Sequence, residues 1–288
     1  MTNFEPATID IDRLIEERQV IDARSDPEQA TQVAESITAA ADPMPLMSAP
    51  PSNVVPLPGG YIDSDGVLHT EVRIREINGS DEEAMARELL NPNVNIPKVV
   101  DLLLKRTVLS VGLIDNPVQT GVLAKMLTGD RAAVIMGVRT LTFGTDWEVP
   151  DFPCKFCGQT FGCIVELDSI PIKKLDDPTE QEIDVELRHD RIARMRLLTG
   201  AVQLEMVGDG KRTAPEEVTT IIDRCLVSLD GQPVRTPMGK KMSMADRRKI
   251  VQAMADSQPG PRMEEVGVTC TECGREGDYT VSLVDIFR

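Results

Sequence analysis

Two stretches of this chain alternate apolar and polar side chains with a period of two, "GVLHTEVRIREI" at 66–77 and "IDVELRHDRIARMRLL" at 183–198. That period predicts strands. Downstream of each, the spacing changes to that of a helix. Val218, Ile221, Ile222, Cys225 and Leu229 fall at i, i+3, i+4, i+7 and i+11, and Val100, Leu103, Leu104, Thr107 and Val111 do the same in the earlier segment. Each set predicts one buried helical face. Pro97 and Pro215 suit a first helical turn, and Thr213 with Glu216 fits a capping box. A further helix is expected to begin near Asp130 and near Asp246, each carboxylate lying close to the positive end of the helix dipole. Gly144 and Gly260 close these segments ahead of two strand-like runs, "FGCIVEL" and "DYTVSLV".

These parallels amount to an internal duplication. Residues 126–170 laid over 242–286, with a constant shift of 116, need no gap and agree at 11 of 45 positions. Asp130 and Arg131 meet Asp246 and Arg247, Gly144 meets Gly260, and Cys154, Cys157 and Gly158 meet Cys270, Cys273 and Gly274. Upstream, "IPKVVDLLLKRTVLSV" faces "APEEVTTIIDRCLVSL", so Pro97, Arg106 and Ser110 meet Pro215, Arg224 and Ser228. Further back, Arg73, Arg75 and Gly79 meet Arg194, Arg196 and Gly200. The expected fold class is α+β: two tandem pseudo-symmetric repeats, mostly helical, each with a Cys-x-x-Cys knuckle and short β-strands, plus an extended N-terminal arm. The expected division is an acidic, proline-rich arm and linker at 1–57, a first repeat at 58–176 and a second at 177–288.

The arm differs in composition. Residues 1–55 hold ten acidic and three basic side chains, and "DPMPLMSAPPSNVVPLP" at 42–58 holds six prolines, which reads as an extended linker. Before it, "SDPEQATQVAESITAAA" reads as a short helix with Asp26 as N-cap and Pro27 in the first turn. The segment is either a disordered acidic arm or one that docks on a partner.

Charge narrows the function. A net charge of −16 repels phosphate backbones and anionic membranes, so nucleic acid is a poor default partner. There is no apolar run of membrane-spanning length, and the acidic start "MTNFEPATIDIDRLIEER" is unlike a signal peptide, so a soluble intracellular protein is expected. With 3% aromatic residues, packing leans on Leu, Ile, Val and Met. No Gly-rich phosphate loop, nucleophile elbow or His-Glu-x-x-His is present. The Asp-Arg pairs at the helix starts are explained by capping and a local ion pair. The arginine cluster "ELRHDRIARMR" at 186–196 reads as a solvated strand face, and otherwise as a docking strip for an acidic partner.

Six cysteines without a secretion signal favour metal over disulfides. One Cys-x-x-Cys presents two thiolates from a tight turn, and a closed tetrahedral zinc site needs four. The economical expectation is one shared zinc held by Cys154, Cys157, Cys270 and Cys273. Two separately closed or vestigial knuckles are the alternative. A redox pair fits less well, because a thioredoxin-type motif opens a helix and here strands follow. Cys163 and Cys225 lack matching partners and read as small core residues. His69 and His189 read as structural residues of the strands.

The segments "LPGGYIDSDGVLHTEVRIREINGSDEE", "LTGDRAAVIMGVRTLTFG", the paired knuckles, "SLDGQPV", "DRRKIVQAM" and "VSLVDIFR" together resemble the baseplate hub and hub-assembly proteins of T-even-like contractile phage tails, a family that recurs in related injection systems. The resemblance covers about 57–288 and leaves the arm unmatched. It implies a non-enzymatic structural or assembly protein that docks other tail and baseplate hub proteins. Its expected location is the virion tail baseplate, and the host cytoplasm during assembly, with room for a homo-oligomer within the hub. The competing readings are a nucleic-acid-binding zinc ribbon and a thiol oxidoreductase. Acidic balance and scarce aromatics oppose the first; the second requires a reactive low-pKa cysteine.

Overall fold

The computed structural model describes residues 53–90, 95–208, 212–283 and 285–287. The short helix expected within 25–41 and most of the expected linker lie outside these residues. The last part of the proline-rich stretch does not read as linker: strand β1 (Val54–Ile62) begins inside it and buries Val55 and Leu57. Pro56 and Pro58 are tolerated there because β1 is the edge of its sheet, where an absent N–H breaks no ladder bond.

β1 pairs antiparallel with β2 (Leu68–Ile74), and the chain then forms helices α1 (Gly79–Leu89) and α2 (Ile96–Thr107). α2 buries Val100, Leu103, Leu104 and Thr107 as the periodicity predicts, but Val111 belongs to the next element. The helix stops at Thr107 and the chain runs directly into β3 (Val108–Val111), which pairs with β2, and then β4 (Ile114–Asp115). Two single turns, α3 (Pro117–Thr120) and α4 (Val122–Lys125), lead to the long helix α5 (Thr128–Phe143). A hairpin follows, β5 (Asp146–Pro153) with β6 (Thr160–Glu166), then the short β7 (Ile172–Lys173).

The later part uses the same vocabulary. The stretch 183–198, read as a strand, is a hairpin of β8 (Glu182–Glu186) and β9 (Ile192–Arg196). Its turn places His189 and Asp190 at φ 60 and 56°, which breaks the alternation the sequence suggests. Helices α6 (Gly200–Val207) and α7 (Ala214–Cys225) follow, and α7 again runs directly into a strand, β10 (Leu226–Leu229), which takes Leu229 off the helix. β11 (Gln232–Pro233) completes a four-stranded sheet in the order β8-β9-β10-β11, as β1-β2-β3-β4 do in the first. Helix α8 (Met244–Ser257), β12 (Gly260–Pro261, paired with β7) and the hairpin β13 (Val266–Thr269) with β14 (Glu276–Tyr279) end the chain. The fold is mixed α and β, with more strand than a mostly helical repeat would have.

Several anchors fall at matching positions. Arg73 faces Ser110 across β2 and β3, and Arg194 faces Ser228 across β9 and β10. Arg131 donates to the Leu123 carbonyl at 2.6 Å and to Asp101 at 3.2 Å. Arg247 donates to the Gly239 carbonyl at 2.8 Å and to the Thr219 hydroxyl at 3.0 Å. Arg106 reaches back to Asp81 of α1, and Arg224 to Glu205 of α6. The Ile77 N–H donates to Thr142 and the Leu198 N–H to Gln258.

The buried apolar residues fall into two clusters. One cluster, with Val72, Leu104 and Ile135, also takes in both hairpins, including Trp147, Phe152 and Phe161 from β5 and β6 and Val266 and Val268 from β13. A smaller cluster lies under the second sheet, around Met195, Ile222, Cys225 and Ile250. The C-terminal hairpin therefore leaves the sheet and helices that precede it and packs with the first hairpin.

Candidate metal centre

Each Cys-x-x-Cys closes the tip of one hairpin. The Cys154 N–H donates to the Gln159 carbonyl at 2.9 Å, and the Gly158 N–H to the Cys154 carbonyl at 3.0 Å. Cys270 repeats this with Arg275 and Gly274, at 3.0 and 2.9 Å. Gly158 and Gly274 sit at φ 72 and 68° with open space where a Cβ would be, so it is backbone conformation, not crowding, that calls for glycine.

The hairpins meet tip to tip. The Cys154 and Cys273 sulfurs are 3.8 Å apart, those of Cys157 and Cys270 are 3.9 Å apart, and all four lie within 4.8 Å of one another. A disulfide would need about 2.05 Å, and all four cysteines are free. With Zn–S bonds of about 2.3 Å, the edge of a tetrahedron of sulfurs is roughly 3.8 Å. The four sulfurs thus have the number, chemistry and spacing for a tetrahedral thiolate-binding cation. Cys154 and Cys270 are buried and their partners exposed.

The electrostatics agree. N–H groups of Cys157 and Phe156 directed at Cys154 hold its thiol down at about 6. The Gln159 N–H acts in the same sense on Cys157, but burial and the neighbouring sulfurs outweigh it and push that thiol up to about 11. Burial is also the main cause that raises Cys270. One sulfur ionises at the expense of its neighbours, the behaviour of a cluster that needs a cation to carry four thiolates.

Residues that sequence reasoning missed hold the tips together. Phe152 packs edge-on to Tyr279 with ring centroids 4.8 Å apart. Lys155 donates to the Asp278 carbonyl at 2.6 Å, and its ammonium lies 4.9 Å from the Tyr279 ring. Arg139, buried in α5, donates to the carbonyls of Gly144 and Asp146, where the first hairpin begins, and to Ile286 at the far end of the chain. Tyr279 aligns with Cys163 and Arg139 with Ala255 under the 116-residue shift, so no matched pair marked them.

Other residues singled out in the sequence lie elsewhere. Cys163 is half-buried on β6 and Cys225 is buried on α7, each in or against a core cluster. His69 is buried on β2, stacks on Tyr61 and bonds Asp63 at 2.9 Å; His189 lies in the β8–β9 turn. The Asp-Arg pairs do not form the local ion pairs expected: Arg131 pairs with Asp101, while Asp130 accepts the Gly59 N–H. In the arginine cluster, Arg188, Arg191, Arg194 and Arg196 pair with Asp246, Asp230, Glu182 and again Glu182, as on a solvated strand face.

The family described as T4 bacteriophage base plate protein matches residues 61–288, and the chain belongs to that family. Comparison with curated proteins and with solved structures gives no match. Among the described residues no helix is long and apolar enough to cross a membrane.

Proposed function

We propose that this chain is a non-enzymatic structural or assembly protein of a phage tail baseplate hub, a duplicated adaptor stapled by one zinc ion on Cys154, Cys157, Cys270 and Cys273. The observation that carries the reading is the convergence of four sulfurs from two hairpin tips far apart in sequence, in a chain of a base plate family. The duplication, with repeats at 58–176 and 177–288, is supported by the recurring element order and by the matched anchors of Arg131 with Arg247 and of Arg106 with Arg224. Zinc here serves shape. It fixes the end of the chain against its middle, and so makes a stiff block that presents fixed surfaces to other tail proteins. The arm that precedes strand β1 recruits neighbours, and assembly takes place in the host cytoplasm before the protein joins the tail.

The test is to follow the tagged full-length chain through tail assembly in infected cells. It is expected to sediment with baseplates or their hub intermediates, and Cys157→Ser is expected to weaken that association. Absence from every tail assembly species would overturn the reading.

A further inference from the structure

Helix α6 covers, in the first half, a groove whose counterpart in the second half is open. α6 packs on α2, α4 and α5. The Gly200 N–H donates to the Met126 carbonyl at 3.0 Å, and the Thr128 N–H donates to the Leu198 carbonyl at 2.9 Å. Gly200 lies so close to Arg131 that a Cβ would come within 2.5 Å of its guanidinium. On the elements that α6 packs against, Val100, Met126 and Ile135 are 5, 0 and 0% exposed.

The same alignment carries those three positions to Val218, Met242 and Val251. There they are only partly buried, and they line an open, mainly apolar groove of about 880 Å³ between α7 and α8. Met242 and Met244 occupy the places of Met126 and Thr128, and among the described residues neither the Met242 carbonyl nor the Met244 N–H makes a hydrogen bond. Met244 is 70% exposed. Arg247 lies where Arg131 takes Gly200, and Lys240 and Arg248 are exposed on the rim.

Among the described residues there is one further helix of the α6 type. It is α1, which begins at Gly79, the counterpart of Gly200, and packs by one side on α2. Its Gly79 has open space around it, and Glu82, Glu83 and Ala86 are exposed. The helix ends at Leu90, an apolar side chain 82% exposed. We propose that the α7–α8 groove receives helix α1 of a second copy, head to tail, as the α2–α5 groove receives α6 within one chain. Glu82 and Glu83 are then set toward Lys240 and Arg248, and Gly79 is set on Arg247. The contact joins two different surfaces, so it propagates into a ring or a row of copies.

The test is sedimentation velocity on the full-length chain across concentration, with circular dichroism as the check of folding. The wild type is expected to associate, and less so at high salt. Lys240→Glu/Arg248→Glu and Glu82→Arg/Glu83→Arg are each expected to lose association, and mixing the two variants in equal amounts is expected to restore it. A wild type that stays monomeric throughout, or variants that associate unchanged, overturns the proposal. So does a mixture that stays monomeric, or association lost on removing residues 1–52 yet untouched by the α1 variant, which would make the arm the occupant.

Discussion

Helices α5 and α8 begin with the same Asp-Arg pair and use it in the same way at different depths. Asp130 holds the Gly59 N–H at 2.6 Å, and Asp246 holds the Arg188 N–H at 3.0 Å, each near the end of the first strand of its sheet. Asp130 is wholly buried, and burial pushes its pKa up to about 7 against the lowering effect of the Gly59 and Gly60 N–H groups. Asp246 is partly exposed, and the Ser243 hydroxyl, with the Arg188 N–H, lowers it. Arg131, 1% exposed, is balanced by a carboxylate, Asp101, whereas the half-buried Arg247 meets the neutral hydroxyl of Thr219 at the matching position. One framework of bonds therefore serves both as core and as surface. What decides is whether a following helix lies over it: α6 covers the first site, and no helix among the described residues covers the second.

The comparison can be broken where the halves meet. Cys157→Ser and Cys273→Ser are each expected to lose the metal and to cost on the order of 5 kcal/mol, less than the roughly 10–16 kcal/mol of a small zinc finger, because the Phe152–Tyr279 contact and the shared core remain. The double variant should be little worse than either, since the site fails as a unit; additive losses in urea melts would indicate two separate sites.

Depth predicts the next effects. Asp101→Ala leaves the Arg131 guanidinium buried and uncompensated, an expected loss of about 3–5 kcal/mol. Thr219→Ala, at the matching position, should cost about 1 kcal/mol. Equal losses on chemical denaturation would contradict the assignment of core and surface. Gly129→Ala forces a Cβ to 1.4 Å from the Pro259 carbonyl, so a loss of about 1–3 kcal/mol or more is expected. The matching residue, Ala245, is exposed, and Ala245→Gly should cost only about 0.5–1 kcal/mol through helix propensity.

A further effect is one of pH. Asp130 holds its proton more tightly folded than unfolded, so folding takes up a proton between pH 3.8 and about 7. Its contribution is full below that window and is lost as pH rises through it, with a slope of at most about 1.4 kcal/mol per pH unit. Asp246 acts in the opposite sense, contributing stability above its ordinary 3.8 that is lost as pH falls. Asp130→Asn should flatten the first slope in melts taken across pH 4 to 7. An unchanged slope would show that the carboxyl is ionised in the folded chain.

Much of this was readable in the chain. The capping pair Thr213 and Glu216 and the buried face of α2 follow from spacing alone, because each depends on neighbours a few residues away, and the four cysteines were marked by their equal Cys-x-x-Cys spacing. Strand β1 was hidden because prolines at a sheet edge look like prolines in a linker. The partners of Asp130 and Arg131 were hidden because Gly59 and Asp101 reach them through folding over long separations, and a local ion pair is the simpler guess from adjacent charges. Tyr279, Lys155 and Arg139 align with unlike residues under the 116-residue shift and so had no signal, yet they brace the hairpin tips.

The central claim is that both hairpin tips hold one ion. Elemental analysis of the purified full-length chain, combined with native mass spectrometry, tests it most directly. One zinc per chain, lost in Cys157→Ser and equally in Cys273→Ser, is the predicted result; two zincs per chain, or none, would contradict it.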